Sequence, residues 1–339
     1  MSSPPRNSWH PDQIVRSIVF VVPVGVHLLD LAGPAQVFSG AVEIGAAYRP
    51  RYVGERERVP SHQGVEIGVD TTWPDLSAED IVLVCGHHVG DRTPRSGLPP
   101  SLLRRLVEHH DRGGRVVSVC SGAFALAEAG LLDGRRATTH HEVAQTLARR
   151  HPAVQVVPDV LYIADGRLAT SAGIASGIDL ALHLVAVDHG PALAARVARS
   201  MVLSLRRNGN APQDSAMLRH RDHLVDTVHR AQDIIDARFT DTLPLRSLAG
   251  AVGVSERTLT RRFRGATGVT PLRYQQALRV ERADDLLAQG WTGEAAAHAV
   301  GFSDARMLRR LRTDHARFTR DRATVLADLS RGSSGRPGP

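Results

Sequence analysis

The chain has 339 residues, 42% of them apolar and 23% charged, which suits two globular domains that each bury a core. No apolar run approaches the ~20 residues of a membrane span, which argues against a membrane protein. Every one of the 42 basic residues is arginine and the net charge is +7; residues 1–216 carry 21 arginines against 21 acids, residues 217–339 carry 21 against 14. The whole excess therefore sits in the last third, the expected footprint of a partner that is a polyanion.

In chain order, residues 1–14 are polar, lack an apolar signal core and read as a disordered tail. With two cysteines far apart, Cys85 and Cys120, the expectation is a cytoplasmic protein with free thiols. Apolar, β-branched runs predict strands at Ser17–Pro23, Ile81–Cys85 and Val116–Val119, alternating with helices at Pro34–Ile44, Ser101–Asp111, Ala123–Ala129 and Ile178–Asp188. Such alternation predicts an α/β domain over residues 15–207, a flavodoxin-like parallel sheet with helices on both faces, whose ligands would lie beyond the carboxyl ends of the strands.

The suggestive turn is Arg115-Val-Val-Ser-Val-Cys120-Ser121-Gly122, where a buried strand ends at a thiol and small residues open a helix. That is the logic of a nucleophile elbow, but cysteine is equally a good small core residue, and both readings stay open on the residues alone. The pairs His87-His88, His109-His110 and His140-His141 are adjacent, not at the i, i+4 spacing that puts two ligands on one helix face, so neither a metal nor another cofactor is expected. Cys85 reads as core. Residues 208–222 form a polar linker, and 330–339 a second loose tail.

Residues 223–329 read as an all-α domain with an internal repeat. Ala249–Arg264 matches Ala297–Arg312 at an offset of 48, with Ala, Val, Gly, Ser and Arg recurring in place. Each copy reads as a short helix, a glycine turn (Gly253, Gly301) and a second helix capped by Ser255 or Ser303, a helix-turn-helix. Leu259 and Phe263, and in the second copy Met307 and Leu311, are the expected apolar anchors. Arg257, Thr258, Arg261 and Arg262, and then Arg306, Arg309 and Arg310, are left to face double-stranded DNA, where arginine's fork suits guanine O6 and N7. Pro271–Leu287 predicts a strut between the readers, with Leu272, Leu278, Ala283, Leu286 and Leu287 as its apolar face.

The stretch from "LAGAVGVSERTLTRRF" to "AVGFSDARMLRRLR" resembles an AraC/XylS-type DNA-binding domain. "LLDLAGPAQVF", "VCSGAFALAEAGLLDGRRATTH" and "DVLYIADGRLATSAGIASGIDLALHL" resemble the ThiJ/PfpI-like domain of the class I glutamine amidotransferase-like superfamily. Together they give the layout of GlxA-like and AdpA-like transcriptional regulators. The resemblance implies a sequence-specific regulator with a sensing and dimerising first domain that takes a small-molecule effector and performs no catalysis. Superfamily hydrolases place His after the cysteine and Glu in the first strand's loop; here those positions hold Ser121 and His27. The alternative implied by the same resemblance is an isonitrile hydratase-like enzyme using Cys120, Ser121 and Asp30, although Asp30 also reads as a helix N-cap. His140 reads as pocket wall. One departure is Ala316-Arg-Phe-Thr319, where the family pattern has Gly-x-x-Pro, which predicts a less stringent second reader.

Overall fold

Runs that are apolar at every position become strands covered on both faces. The computed structural model describes residues 15–88, 96–203, 209, 213, 220–288 and 290–313. Both expected tails, most of the linker and Ala316–Thr319 lie outside the described residues. The chain divides into two units, Met1–Gln213 and Asp214–Pro339.

In the first unit the strands are β1 (Arg16–Val21), β2 (Tyr48–Val53), β3 (Arg58–Pro60), β4 (Glu66–Gly68), β5 (Ile81–Val84), β6 (Arg115–Val119), β7 (Arg136–Ala137), β8 (Gln155–Val156), β9 (Tyr162–Asp165) and β10 (Leu168–Ser171). The helices are α1 (Leu28–Glu43), α2 (Pro100–Asp111), α3 (Ala123–Glu128), α4 (His141–Arg150), α5 (Ser176–His189) and α6 (Pro191–Ser200). Six strands form one sheet in the order β2-β1-β5-β6-β10-β9, parallel except for the β10–β9 pair. Successive strand residues serve opposite cores: Ile18, Phe20 and Leu83 pack with Val37, Phe38 and Leu182, whereas Val19, Val21 and Val84 pack with Leu106, Phe124 and Leu126. Cys85 is fully buried in the first of these cores.

Helix α1 begins at Leu28, six residues before the expected start, and carries Pro34 inside it. A proline normally opens a helix. Here the burial of Leu31, Val37 and Phe38 on either side of it holds the helix together across the missing N–H. Asp30 is thereby inside the first turn, and His27 is the N-cap, so the reading of Asp30 as a cap is corrected.

The second unit is helical: α7 (Asp226–Ala237), α8 (Leu245–Ala251), α9 (Glu256–Thr267), α10 (Pro271–Ala288), α11 (Gly293–Ala299) and α12, residues 305–313. It has two cores. One joins Val228, Leu248, Leu259, Phe263, Tyr274 and Leu278; the other joins Val280, Ala283, Leu286, Ala297, Val300, Leu308 and Leu311. Helix α10 belongs to both, its first half to one core and its second half to the other. Leu272, expected on its apolar face, is 62% exposed. Among the described residues no helix is long and apolar enough to cross a membrane.

Candidate functional site: a DNA-reading face and a cysteine elbow

Ser255 caps α9 by accepting the Thr258 N–H (3.3 Å), and Gly268 closes the helix in a left-handed conformation. Leu259 and Phe263 are fully buried, so the opposite side of α9 faces out. Its expected readers then separate. Thr258 is held by the cap, its hydroxyl accepting from Ser255 (2.9 Å), and Arg262 reaches back to the Thr227 hydroxyl on α7 (3.2 Å). Arg257 and Arg261 are exposed, one turn apart, with no partner among the described residues.

The second reader starts one residue later in the repeat. Asp304, not Ser303, caps it, accepting from the N–H groups of Arg306 (2.8 Å) and Met307 (2.9 Å), because a carboxylate at the helix start binds orphan amides more strongly than a hydroxyl. Those bonds hold the Asp304 carboxyl below the usual carboxylate range. The buried stripe is Ala305, Leu308 and Leu311; the expected anchor Leu311 is in the core, whereas Met307 packs half-buried at its edge and Leu308 takes the central place. The repeat position of Arg257 is thus occupied by a buried alanine. Arg306, Arg309 and Arg310 are exposed; Arg309 leans on the Ala305 carbonyl (3.3 Å) and Arg312 pairs with Asp284 (2.6 Å).

In the first unit the carboxyl ends of β1, β5 and β6 converge on Cys120. Its φ is +56°, in the left-handed region that a side chain adopts only under strain, which is the backbone of an elbow. A side chain at Gly173 (φ +96°) would collide with the Cys120 thiol, and one at Gly86 with both Cys120 and Asp30. Asp30 is fully buried and its Oδ1 accepts the Ile174 N–H (2.5 Å). Burial pushes its carboxyl up to about 6, against the pull of that N–H. Burial, then the facing Asp30 carboxyl, holds the Cys120 thiol well above the usual thiol range. The sulfur is therefore protonated at neutral pH, the unreactive form.

Ser121 is not turned toward the thiol chemistry. Its hydroxyl accepts the His87 N–H (2.8 Å) and donates to the His87 carbonyl (2.8 Å), tying the elbow to the end of β5. His140, next to Thr139, has its ring against His141 (4.3 Å between centroids) and 3.6 Å from Glu142; burial lowers its pKa. The fold thus brings Cys120 and Asp30 together and leaves Ser121 and His140 in supporting places.

Two features escaped sequence reasoning. His27, His62 and His88 gather their rings 4.1–6.2 Å apart, with His62 and His88 stacked. Burial and its neighbours lower the pKa of His27. The stacked rings do not converge on a point, and no group among the described residues is arranged to hold a metal ion. Gln213, inside the expected linker, donates its amide to the Thr139 and Val160 carbonyls (3.1 Å each) and accepts the His141 N–H (2.9 Å). Thr139 in turn donates to the Cys120 carbonyl (2.7 Å), so a linker residue is two bonds from the elbow.

Residues 16–187 match the DJ-1/PfpI family and residues 248–318 a helix-turn-helix domain. The chain belongs to the DJ-1/PfpI family, in the branch of GlxA-like regulators fused to an AraC-type helix-turn-helix. An HTH-type transcriptional regulator, CdhR of Pseudomonas aeruginosa, is 32% identical over 234 residues, 68% of this chain and 67% of its own length. GlxA of Rhizobium meliloti, another HTH-type transcriptional regulator, is 27% identical over 72% of this chain and 75% of its own length. Both matches are longer than the whole first unit, so they extend beyond it into the helical one. An isonitrile hydratase of Pseudomonas putida is 32% identical over 48% of this chain and 69% of its own length. This family member is a DNA-binding transcriptional regulator.

Proposed function

We propose that the regulator reads two successive major grooves, about one turn (~34 Å) apart. Arg257 and Arg261 of α9 read the first, with Thr258 and Arg262 bracing that helix, and Arg306, Arg309 and Arg310 of α12 meet the second. The observation that carries the reading is the exposed pair Arg257 and Arg261, without a partner among the described residues, one turn apart on a helix whose other side is locked in a core. In this proposal residues 223–329 are the DNA-binding domain, 15–207 a domain that senses an effector and pairs two copies, and 208–222 the linker. A pair of copies doubles the site by two-fold symmetry. Reading chromosomal promoters implies work in the cytoplasm.

The first domain is proposed to be a pocket that no longer catalyses. A protonated thiol, a Ser121 hydroxyl engaged with His87 and the absence of a histidine after Cys120 support that reading. An effector would lie against Cys120, Asp30 and His140. The rival reading, a hydratase with an accessory DNA-binding domain, draws on the Cys120–Asp30 juxtaposition and the hydratase relative. In vitro selection from random duplexes, followed by hydroxyl-radical footprinting with the full chain, tests the proposal. Two protected patches one helical turn apart per chain are expected. Binding that excess nonspecific DNA abolishes would overturn it.

A further inference from the structure

Helix α10 fixes how far apart the two readers stand, but an apolar contact is non-directional and does not by itself fix how one bundle is rotated against the other. Something directional has to do that. At the middle of α10, between Leu278 of the first core and Val280 of the second, stands Arg279.

Its guanidinium is bonded to backbone carbonyls from the bundles of both readers. Nε donates to Phe239 (2.6 Å), Nη2 to Asp241 (2.8 Å) and Thr240 (3.2 Å), all in the loop between α7 and α8, in the bundle of the first reader. Nη1 donates to Gly301 (2.7 Å), the turn residue of the second. The same group lies 5.5 Å from the centre of the Phe302 ring. Gln275, one turn earlier on α10, holds the Phe239 and Asp241 carbonyls as well (2.9 and 2.8 Å). Burial lowers the pKa of Arg279, and no salt bridge to it exists among the described residues; its donors are spent on carbonyls.

The other side of the contact is shaped to match. Gly301 has φ +85°, and a side chain there would run into the Thr240 carbonyl and stand 3.1 Å from the Arg279 guanidinium carbon. Phe239 packs against both cores. The loop of the first reader's bundle, the turn of the second reader and the strut therefore meet at one planar, five-donor group, the side chain best suited to holding several acceptors in a fixed plane.

We propose that Arg279 is a positioning residue that welds the two readers into one rigid reader, and so sets the spacing of the DNA halves that the protein accepts. The inference rests on the two-groove reading above. The test uses the full chain, its selected duplex, the same duplex with one base pair inserted or removed between the halves, and a duplex carrying only the half read by α9. For the unaltered protein a change of spacing should weaken binding at least about tenfold, the scale of a lost base contact.

Arg279→Met, which keeps an unbranched apolar stem on α10 but has no donors, should bind the full site at least about tenfold more weakly. It should bind the half duplex as the unaltered protein does, and its spacing penalty should shrink to within about threefold. Arg279→Lys should fall between the two, because an ammonium reaches fewer of the four carbonyls. A variant that keeps the full spacing penalty overturns the proposal. So does one that loses the half duplex by the same factor as the full site, since that is a damaged fold and not a loosened weld. If the unaltered protein itself ignores spacing, the two-groove reading is what fails.

Discussion

The elbow of the first unit and the reading face of the second treat charge in opposite ways. At the elbow three ionisable groups are pressed toward neutrality: the thiol is held protonated, the Asp30 carboxyl is pushed up to about 6 and the pKa of His140 is lowered, in each case chiefly by burial. On α9, Arg257 and Arg261 are exposed, with no partner among the described residues. Ionisable groups held neutral at the cost of stability support the proposed effector pocket. A free guanidinium on a braced helix marks a place that waits for an anion. The comparison teaches that an enzyme-like fold with a nucleophile-like turn need not be where this chain does its work.

The largest expected effect strikes the elbow. The folded-state pKa of Asp30 lies above its ordinary value of 3.8. The folded protein therefore holds a proton that the unfolded chain releases between about pH 4 and 6. Stability falls as pH rises through that window, and the full cost, on the order of 2–3 kcal/mol, is present above it. Asp30→Asn should remove the slope: the variant is more stable than the parent by about that amount at pH 7 and equal to it near pH 4. Urea denaturation of both proteins across this range measures the difference. A difference that does not change with pH would show that Asp30 is not held neutral.

Next comes the face. Arg257→Ala and Arg261→Ala should each cost about 1–3 kcal/mol on the selected site and much less on random DNA, read by competition anisotropy. Equal losses on both DNAs would make them phosphate contacts. Smaller still is the effect expected for the second reader, where the repeat position of Arg257 is the buried Ala305. Arg306→Ala and Arg310→Ala should lower affinity for all sequences and reduce the salt slope by about one each, with little change in preference. A base-by-base scan that finds both halves equally stringent would break the asymmetry.

Much of this was legible in the sequence. The 48-residue repeat, Ser255, Leu259, Phe263 and Gly268 gave the first reader nearly to the residue, because local spacing and capping determine it. Three of the six strands of the main sheet, β1, β5 and β6, are legible because runs buried on both faces are apolar throughout, whereas β2, β9 and β10, which carry arginine, aspartate, threonine or serine, are not. What failed depended on tertiary packing. Pro34 looked like a helix start, but neighbouring core residues carry α1 past it. Met307 and Leu308 are adjacent and both apolar, and only the one-residue shift of the cap to Asp304 decides which is buried. The rings of His27, His62 and His88 come from three separate segments, and Gln213 looked like any polar linker residue. No local pattern announces such meetings.

The smallest expected effect is the one that decides between regulator and enzyme. Cys120→Ser changes one buried atom, and DNA binding by the regulator free of effector should stay within about 0.5 kcal/mol, as for a substitution that leaves the fold intact. The geometry explains why so little is expected. The thiol is protonated, so replacing it with a hydroxyl removes no charge from the elbow. The backbone ties of the elbow run through the Cys120 carbonyl to Thr139 and through Ser121 to His87, and the side chain facing the sulfur, the Asp30 carboxyl, is met equally well by a serine hydroxyl. Gln213 keeps its hold on Thr139 and His141 in the variant. An enzyme with an accessory DNA-binding domain behaves differently: turnover of a simple isonitrile by the purified chain is measurable and disappears with the same substitution, because the nucleophile is the sulfur itself. Isonitrile hydration followed in the infrared, run beside the binding measurement on the same two preparations, separates the cases. Unchanged DNA binding with no turnover in either protein is the regulator's result, and sulfur-dependent turnover would return the first unit to catalysis.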